Sequence, residues 1–288
     1  MTGLIKPAQM PRIRQAVLRT IQQLNRVYAD PDLAAANGIR EDRRQVPAIM
    51  YSALEQQMPL TELYLVSRDM TVMAVDGARD VPDATSLASA WPAPIGLMAF
   101  TGGLPPVHPK WAAGQPIVPR LLLWCPMPTG AQCILQMWGR REGGEDQPVA
   151  AVIVPDMTAP LSFDDHLSED AIRMQSLALS AWVQMQTPTM ADVTERTESG
   201  PKIGSGRRRD VPRTVRVVEL RRLARKPVEP TADSGREYHH QWVVRGHWRQ
   251  QPYGPGRAQR RTTWIPPYVK GPEGAPLIGS DTVFAWRR

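Results

Sequence analysis

Little in this chain equips it for covalent, metal or membrane chemistry. Only two of its 288 residues are cysteine, Cys125 and Cys133, so a disulfide scaffold is excluded and a reducing cytoplasm is the expected setting. No apolar run approaches the roughly 18 residues that a membrane span needs. The longest, Leu121 to Trp124 and Val149 to Val154, have the length of core strands. The start of the chain lacks the charged, apolar and small-residue succession of a secretory signal. There is no nucleophile elbow, no zinc-finger spacing and no dinucleotide fingerprint. The Gly204-Ser205-Gly206 stretch lacks the Gly-Lys-Ser/Thr ending of a phosphate loop. No motif names a reaction, and no metal, cofactor or catalytic residue is assigned.

What is present suits a folded protein with an uneven charge. The apolar share is 42%, enough for a core and against global disorder. With 29 Pro and 21 Gly, strands and turns should be prominent. The net charge is +7, but Arg196 to Arg288 hold 20 Lys/Arg and 8 Asp/Glu, a net of +12, whereas the first 195 residues hold 15 and 20, a net of −5. An excess confined to one end points to a polyanionic partner there. The same charge would also serve as a solubilising surface.

Periodicity divides the chain. After Pro11, the residues Ile13, Val17, Ile21, Leu24 and Tyr28 recur at three- and four-residue spacing, which predicts an amphipathic helix ended by Asp30-Pro31. A second helix is expected at about 47–57 with Ile49, Met50, Ala53 and Leu54 on its apolar side. Leu63 to Val66 and Thr71 to Val75, split by Ser-Arg-Asp, read as a hairpin. Ile95 to Phe100, Leu121 to Cys125, Cys133 to Trp138 and Val149 to Val154 follow as strands of an antiparallel meander, and the proline-rich stretch 104–119 as a loop. Ser168, Glu169 and Asp170 look like the cap and acidic first turn of a third helix carrying Ile172, Gln175, Leu179, Trp182 and Met185.

The polar, glycine-bearing segment that follows reads as a linker, and the tail as a second module. Val215 to Leu220, Gln241 to Arg249, Thr262 to Ile265 and Thr282 to Trp286 are its expected strands, a small sheet or partial barrel. The expected fold class is thus α+β: an antiparallel sheet with flanking helices over residues 1–190, a linker over 191–212, and a small basic all-β C-terminal module over 213–288.

The strongest local signal is the run from His239 to Arg249, where aromatic and basic residues interleave. Exposed rings stack single-stranded bases at about 1–3 kcal/mol each while arginines hold phosphates. Trp242, Trp248, Trp264 and Trp286 also suit the core of a small sheet, which period-two phasing favours for the first two. The opposite face, Arg245, His247 and Arg249, is then the better contact surface, extended by Arg257, Arg260, Arg261 and Lys270. His239, His240 and His247 could cleave RNA without metal, one acting as base beside cations, although no carboxylate or tyrosine partner stands out. Asp164, Asp165 and His166 with Glu169 and Asp170 read either as an acid/base cluster or as the acids a helix start favours. The two cysteines read as buried, inert thiols.

Two stretches carry a resemblance. Trp242-Val243-Val244-Arg245-Gly246-His247-Trp248-Arg249, followed by Trp264-Ile265-Pro266-Pro267-Tyr268-Val269-Lys270-Gly271-Pro272, resembles the C-terminus of a group of actinobacterial and actinophage proteins. Trp91 to Phe100, with the strand Pro119 to Trp124, is similar to the body of those proteins. That body is remotely similar to a type V-A anti-CRISPR family, whose members suppress production of the CRISPR nuclease at its nascent chain and message. The resemblance implies a phage or mobile-element regulator and carries over no catalytic residue.

The expected function is therefore a cytoplasmic, non-enzymatic regulator. Its basic module would bind nucleic acid, RNA in preference to single-stranded DNA, and its N-terminal domain would be open to a protein partner. The alternative is an inhibitor or assembly factor that contacts protein alone. A metal-independent ribonuclease is the third reading.

Overall fold

Pro11 falls in the first turn of α1 (Met10–Ala29), where a missing N–H costs nothing. Val17 and Ile21 are fully buried, and Ile13, Leu24 and Tyr28 pack against the same core, so the predicted stripe is the buried one. Asp30 ends α1 and caps the short α2 (Pro31–Ala36), its carboxylate accepting from the backbone N–H of Asp32 and Leu33. α3 (Gln45–Gln57) buries Met50, Ala53 and Leu54. Ile49, expected beside them, is instead 52% exposed.

The structure, a computed structural model, describes residues 5–82, 86–109, 112, 114–128, 132–140, 144–159, 169–188, 190–197, 214–221, 239–244, 246–265, 268–270, 272 and 277–278. The chain divides into two compact units, Met1–Leu220 and Arg221–Arg288.

The first unit is built on a seven-stranded sheet. Its strands are β1 (Glu62–Val66), β2 (Gly96–Phe100), β3 (Pro119–Pro126), β4 (Cys133–Arg140), β5 (Asp146–Val154), β6 (Ala191–Thr197) and β7 (Thr214–Leu220), in the spatial order β5-β4-β3-β2-β1-β7-β6. β2 to β5 form the expected antiparallel meander. β1, however, runs parallel to both β2 and β7, so the mostly antiparallel sheet is mixed at β1. The reason lies after β1. Residues 68–77, partly read as the return strand of a hairpin, are the helix α4 (Arg68–Gly77). Ser67 accepts from the Met70 N–H at its N-cap, Asp69 sits in the first turn, and Met70, Thr71 and Ala74 are buried at helical spacing. A helical crossover returns the chain parallel, which a tight hairpin cannot do.

Side chains alternate between the sheet's two faces. Leu63, Leu65, Leu97, Leu121, Leu123 and Val217 join the core formed with α1 and α3. On the other face Trp124 meets Trp182 of α5 (Glu169–Met185) edge-on, with centroids 5.2 Å apart, and Tyr64 lies against Trp124 at 5.5 Å. The architecture is α+β.

Two segments assigned to other regions belong to this sheet. Residues 191–197, expected to open the linker, are the edge strand β6. Val215 to Leu220, expected in the basic module, lies in β7 between β1 and β6. Val215 and Val217 on one face, and Val218 on the other, are almost fully buried, and both faces need the large core to cover them.

The second unit contains two small sheets. β8 (Gln241–Val244) is flanked by β11 (Tyr268–Lys270), antiparallel, and β12 (Leu277–Ile278), parallel. β9 (His247–Tyr253) and β10 (Gln259–Ile265) form an antiparallel hairpin. The single strand expected over 241–249 is thus two, parted at positions 245–246. The strand expected at 282–286 lies outside the described residues.

Candidate functional site

The β9–β10 hairpin turns through Gly254 (φ 78°), a short 3-10 turn Pro255–Arg257, and Gly256 (φ 62°). Gly254 and Gly256 are in the left-handed region that glycine tolerates. Arg257 shares that region at φ 57° and is the sole non-glycine with positive φ among the described residues. It therefore stands at the hairpin tip with a small backbone cost, and it is exposed.

Register assigns the faces. Trp248 lies directly opposite Trp264, and the rings meet edge-on with centroids 5.2 Å apart, a favoured aromatic geometry. Trp264 is 3% exposed and Trp248 half-buried, so this pair is core, the alternative the sequence offered for these tryptophans. His247 and Arg249 alternate onto the other face, and both are exposed. Arg260 pairs with Pro252 and so lies on the tryptophan face, at the far end of the ladder, where it too is exposed. Arg261 sits opposite Gln251, in line with Arg249. Lys270 ends β11, in the other sheet. Arg245 lies outside the described residues. Among the described residues, Arg249, Arg257 and Arg260 enter no ion pair.

The charge follows the same boundary. Residues 221–288 hold 13 Lys/Arg and 5 Asp/Glu, a net of +8, which leaves −1 for residues 1–220. The arginine of β7 is spent within the first unit. Arg216 bonds Glu62 through Nη1 and Glu195 through Nε at 3.0 Å, and its guanidinium lies 5.6 Å from the centre of the Tyr64 ring. The Tyr64 hydroxyl donates to Glu62 at 2.6 Å, and burial with the nearby Glu195 charge pushes its pKa up to about 12.

The other chemical candidates have structural roles or fall outside view. Glu169 and Asp170 pair with Arg173 one turn on, at 2.7 and 3.9 Å, while residues 164–166 lie outside the described residues. Cys125 and Cys133 are buried and unpaired with each other, and burial pushes both thiols up to about 12. His239 and His240 precede β8, and His247 opens β9. Among the described residues, no group of three or more His, Cys, Asp or Glu could hold a metal ion, and no helix is long and apolar enough to cross a membrane.

No curated protein and no solved structure matches the chain. Residues 134–271, from β4 through β11, match the model of the Anti-CRISPR type V subtype A2 family, and over that span the chain is similar to this family.

Proposed function

We propose that the chain is a phage or mobile-element regulator that grips single-stranded nucleic acid, RNA foremost, with the β9–β10 hairpin. The observation that carries this reading is the division of the hairpin. A tryptophan pair holds one end of one face together, while His247, Arg249, Arg257 and Arg260 are exposed and enter no ion pair with a described acid. Exposed arginines on a unit of net charge +8 are the electrostatic footprint of a phosphate-contacting surface. The exposed Tyr253, 43% accessible, adds a ring on which a base can stack. This reading also counts Arg245, Arg261 and Lys270 as phosphate contacts, as the sequence led us to expect.

A salt titration of the full chain against labelled single-stranded RNA, single-stranded DNA and duplex DNA tests it. Affinity should fall steeply with salt, by about 0.7 in log–log slope for each single-strand phosphate neutralised, as its counterion is released. Binding that is absent at low salt, or indifferent to salt, would refute it.

The similarity to an anti-CRISPR family favours one second reading, an inhibitor that acts on a protein of the nuclease system without nucleic-acid contact. A partner that stays bound after nuclease treatment, with RNA binding absent, would establish that reading instead.

A further inference from the structure

α1 carries positive charge without an acid of its own. It holds four arginines and no Asp or Glu. Arg14 turns inward, is buried, and donates to the Thr61 carbonyl at 3.4 Å. Arg12, Arg19 and Arg26 are exposed. They stand seven residues apart, so they follow one line along the helix at intervals of about 10.5 Å, drifting by about 20° per step. That line runs on the far side from Val17 and Ile21, which fix α1 to the core.

An acid three or four residues from an arginine steadies an exposed helix. Here those positions hold Gln15, between Arg12 and Arg19, and Gln22 and Gln23, between Arg19 and Arg26. Nearby acids have other partners. Glu55 of α3 accepts from Asn25, Asp30 caps α2, and Glu41 and Asp42 pair with Arg44 and Arg40. Among the described residues, none of the three arginines enters an ion pair. No large apolar side chain of α1 is exposed, so the stripe offers neither a ring for base stacking nor an anchor for a lipid surface.

We propose that this face of α1 binds base-paired RNA along its phosphate backbone, a second polyanion surface that does not rest on the hairpin reading. Guanidinium groups on a rigid line contact phosphates without reading sequence. With no exposed ring, the stripe has nothing on which to hold the splayed bases of a single strand. The interleaved glutamine amides both donate and accept, which suits the 2′-hydroxyls displayed along the shallow groove of an RNA duplex. An acidic protein segment would bring carboxylates to the arginines but no such row of hydroxyls to the glutamines.

Fluorescence anisotropy of the full chain with mixed-sequence RNA and DNA duplexes, across a salt series, tests the proposal. Arg12→Gln/Arg19→Gln/Arg26→Gln should flatten the log–log slope for duplex RNA by about 0.9 for each arginine, the value for a B-form duplex, and leave that for single-stranded RNA unchanged. Gln15→Glu/Gln22→Glu gives the arginines acids to pair with, so it should keep or raise the thermal midpoint while weakening duplex RNA as much as the triple variant does. Arg249→Gln/Arg257→Gln on the hairpin should instead lower the single-strand slope, so either reading can fail without the other. A wild type that ignores duplex RNA at low salt, or a triple variant with an unchanged duplex slope, would overturn the proposal. So would equal losses on the RNA and DNA duplexes, or competition by polyglutamate as strong as by duplex RNA, which would give the stripe to any phosphate backbone or to an acidic protein.

Discussion

Arg120 reaches past β4 to Asp146. Its Nε donates to Oδ1 at 2.7 Å and its Nη2 to Oδ2 at 2.6 Å, with Arg140 Nη2 a further 3.6 Å from the same carboxylate. Arg120 lies on β3 and Asp146 on β5, so a single bidentate pair clamps three strands at one end of the sheet. Both side chains are more than nine-tenths buried. Asp146→Ala leaves a buried guanidinium without its main counter-charge and should cost about 3–5 kcal/mol, read as a lowered urea midpoint. Replacing both partners with apolar residues of similar volume should recover most of the loss.

Gly96 makes room for a ring. A methyl group added there would overlap the Trp124 indole. That ring cannot yield, because its Nε1 donates to the Ala93 carbonyl at 2.8 Å and it lies between Tyr64 and Trp182. Gly96→Ala should destabilise the first unit by about 1–3 kcal/mol, visible as a lower thermal midpoint and altered near-UV circular dichroism.

The thiols and Tyr64 link stability to alkaline pH. Burial raises the folded pKa of Cys125, Cys133 and Tyr64 to about 12. Each contribution is therefore complete below the unfolded group's ordinary pKa and is lost as the pH climbs from there towards 12. The urea midpoint should fall across that range, and less so in a Cys125→Ala/Cys133→Ala variant. Thiol reagents should label neither cysteine until the chain unfolds.

Arg257 separates folding from binding. Its left-handed backbone costs a non-glycine residue about 1 kcal/mol, so Arg257→Gly should keep or raise the thermal stability of the hairpin. If the tip contacts phosphate, the same variant should flatten the salt slope for single-stranded RNA by about 0.7. An unchanged slope would place the contact elsewhere on the hairpin.

Local rules act within a few residues, and those were legible. The stripe of Val17 and Ile21, the Asp30-Pro31 boundary, the meander from β2 to β5, the acidic start of α5 and the strand around Trp264 all follow from periodicity, capping and turn chemistry. Composition likewise located the basic excess at the C-terminal end. Partner choice depends on residues far apart in the chain, and only the tertiary structure decided it. Val215 and Val217 alternate like any half-buried strand, but their place beside β1 is set by the core on Leu63 and Leu65 that they complete. Thr71 to Val75 is apolar enough for a strand, yet the Ser67 cap and burial of Met70 and Ala74 wind it into a helix. Arg216 reads as surface charge until Glu62 and Glu195, 154 and 21 residues away, are brought to it. An arginine's charge is written in the sequence; whether a carboxylate already neutralises it is decided by the packing that brings distant strands together.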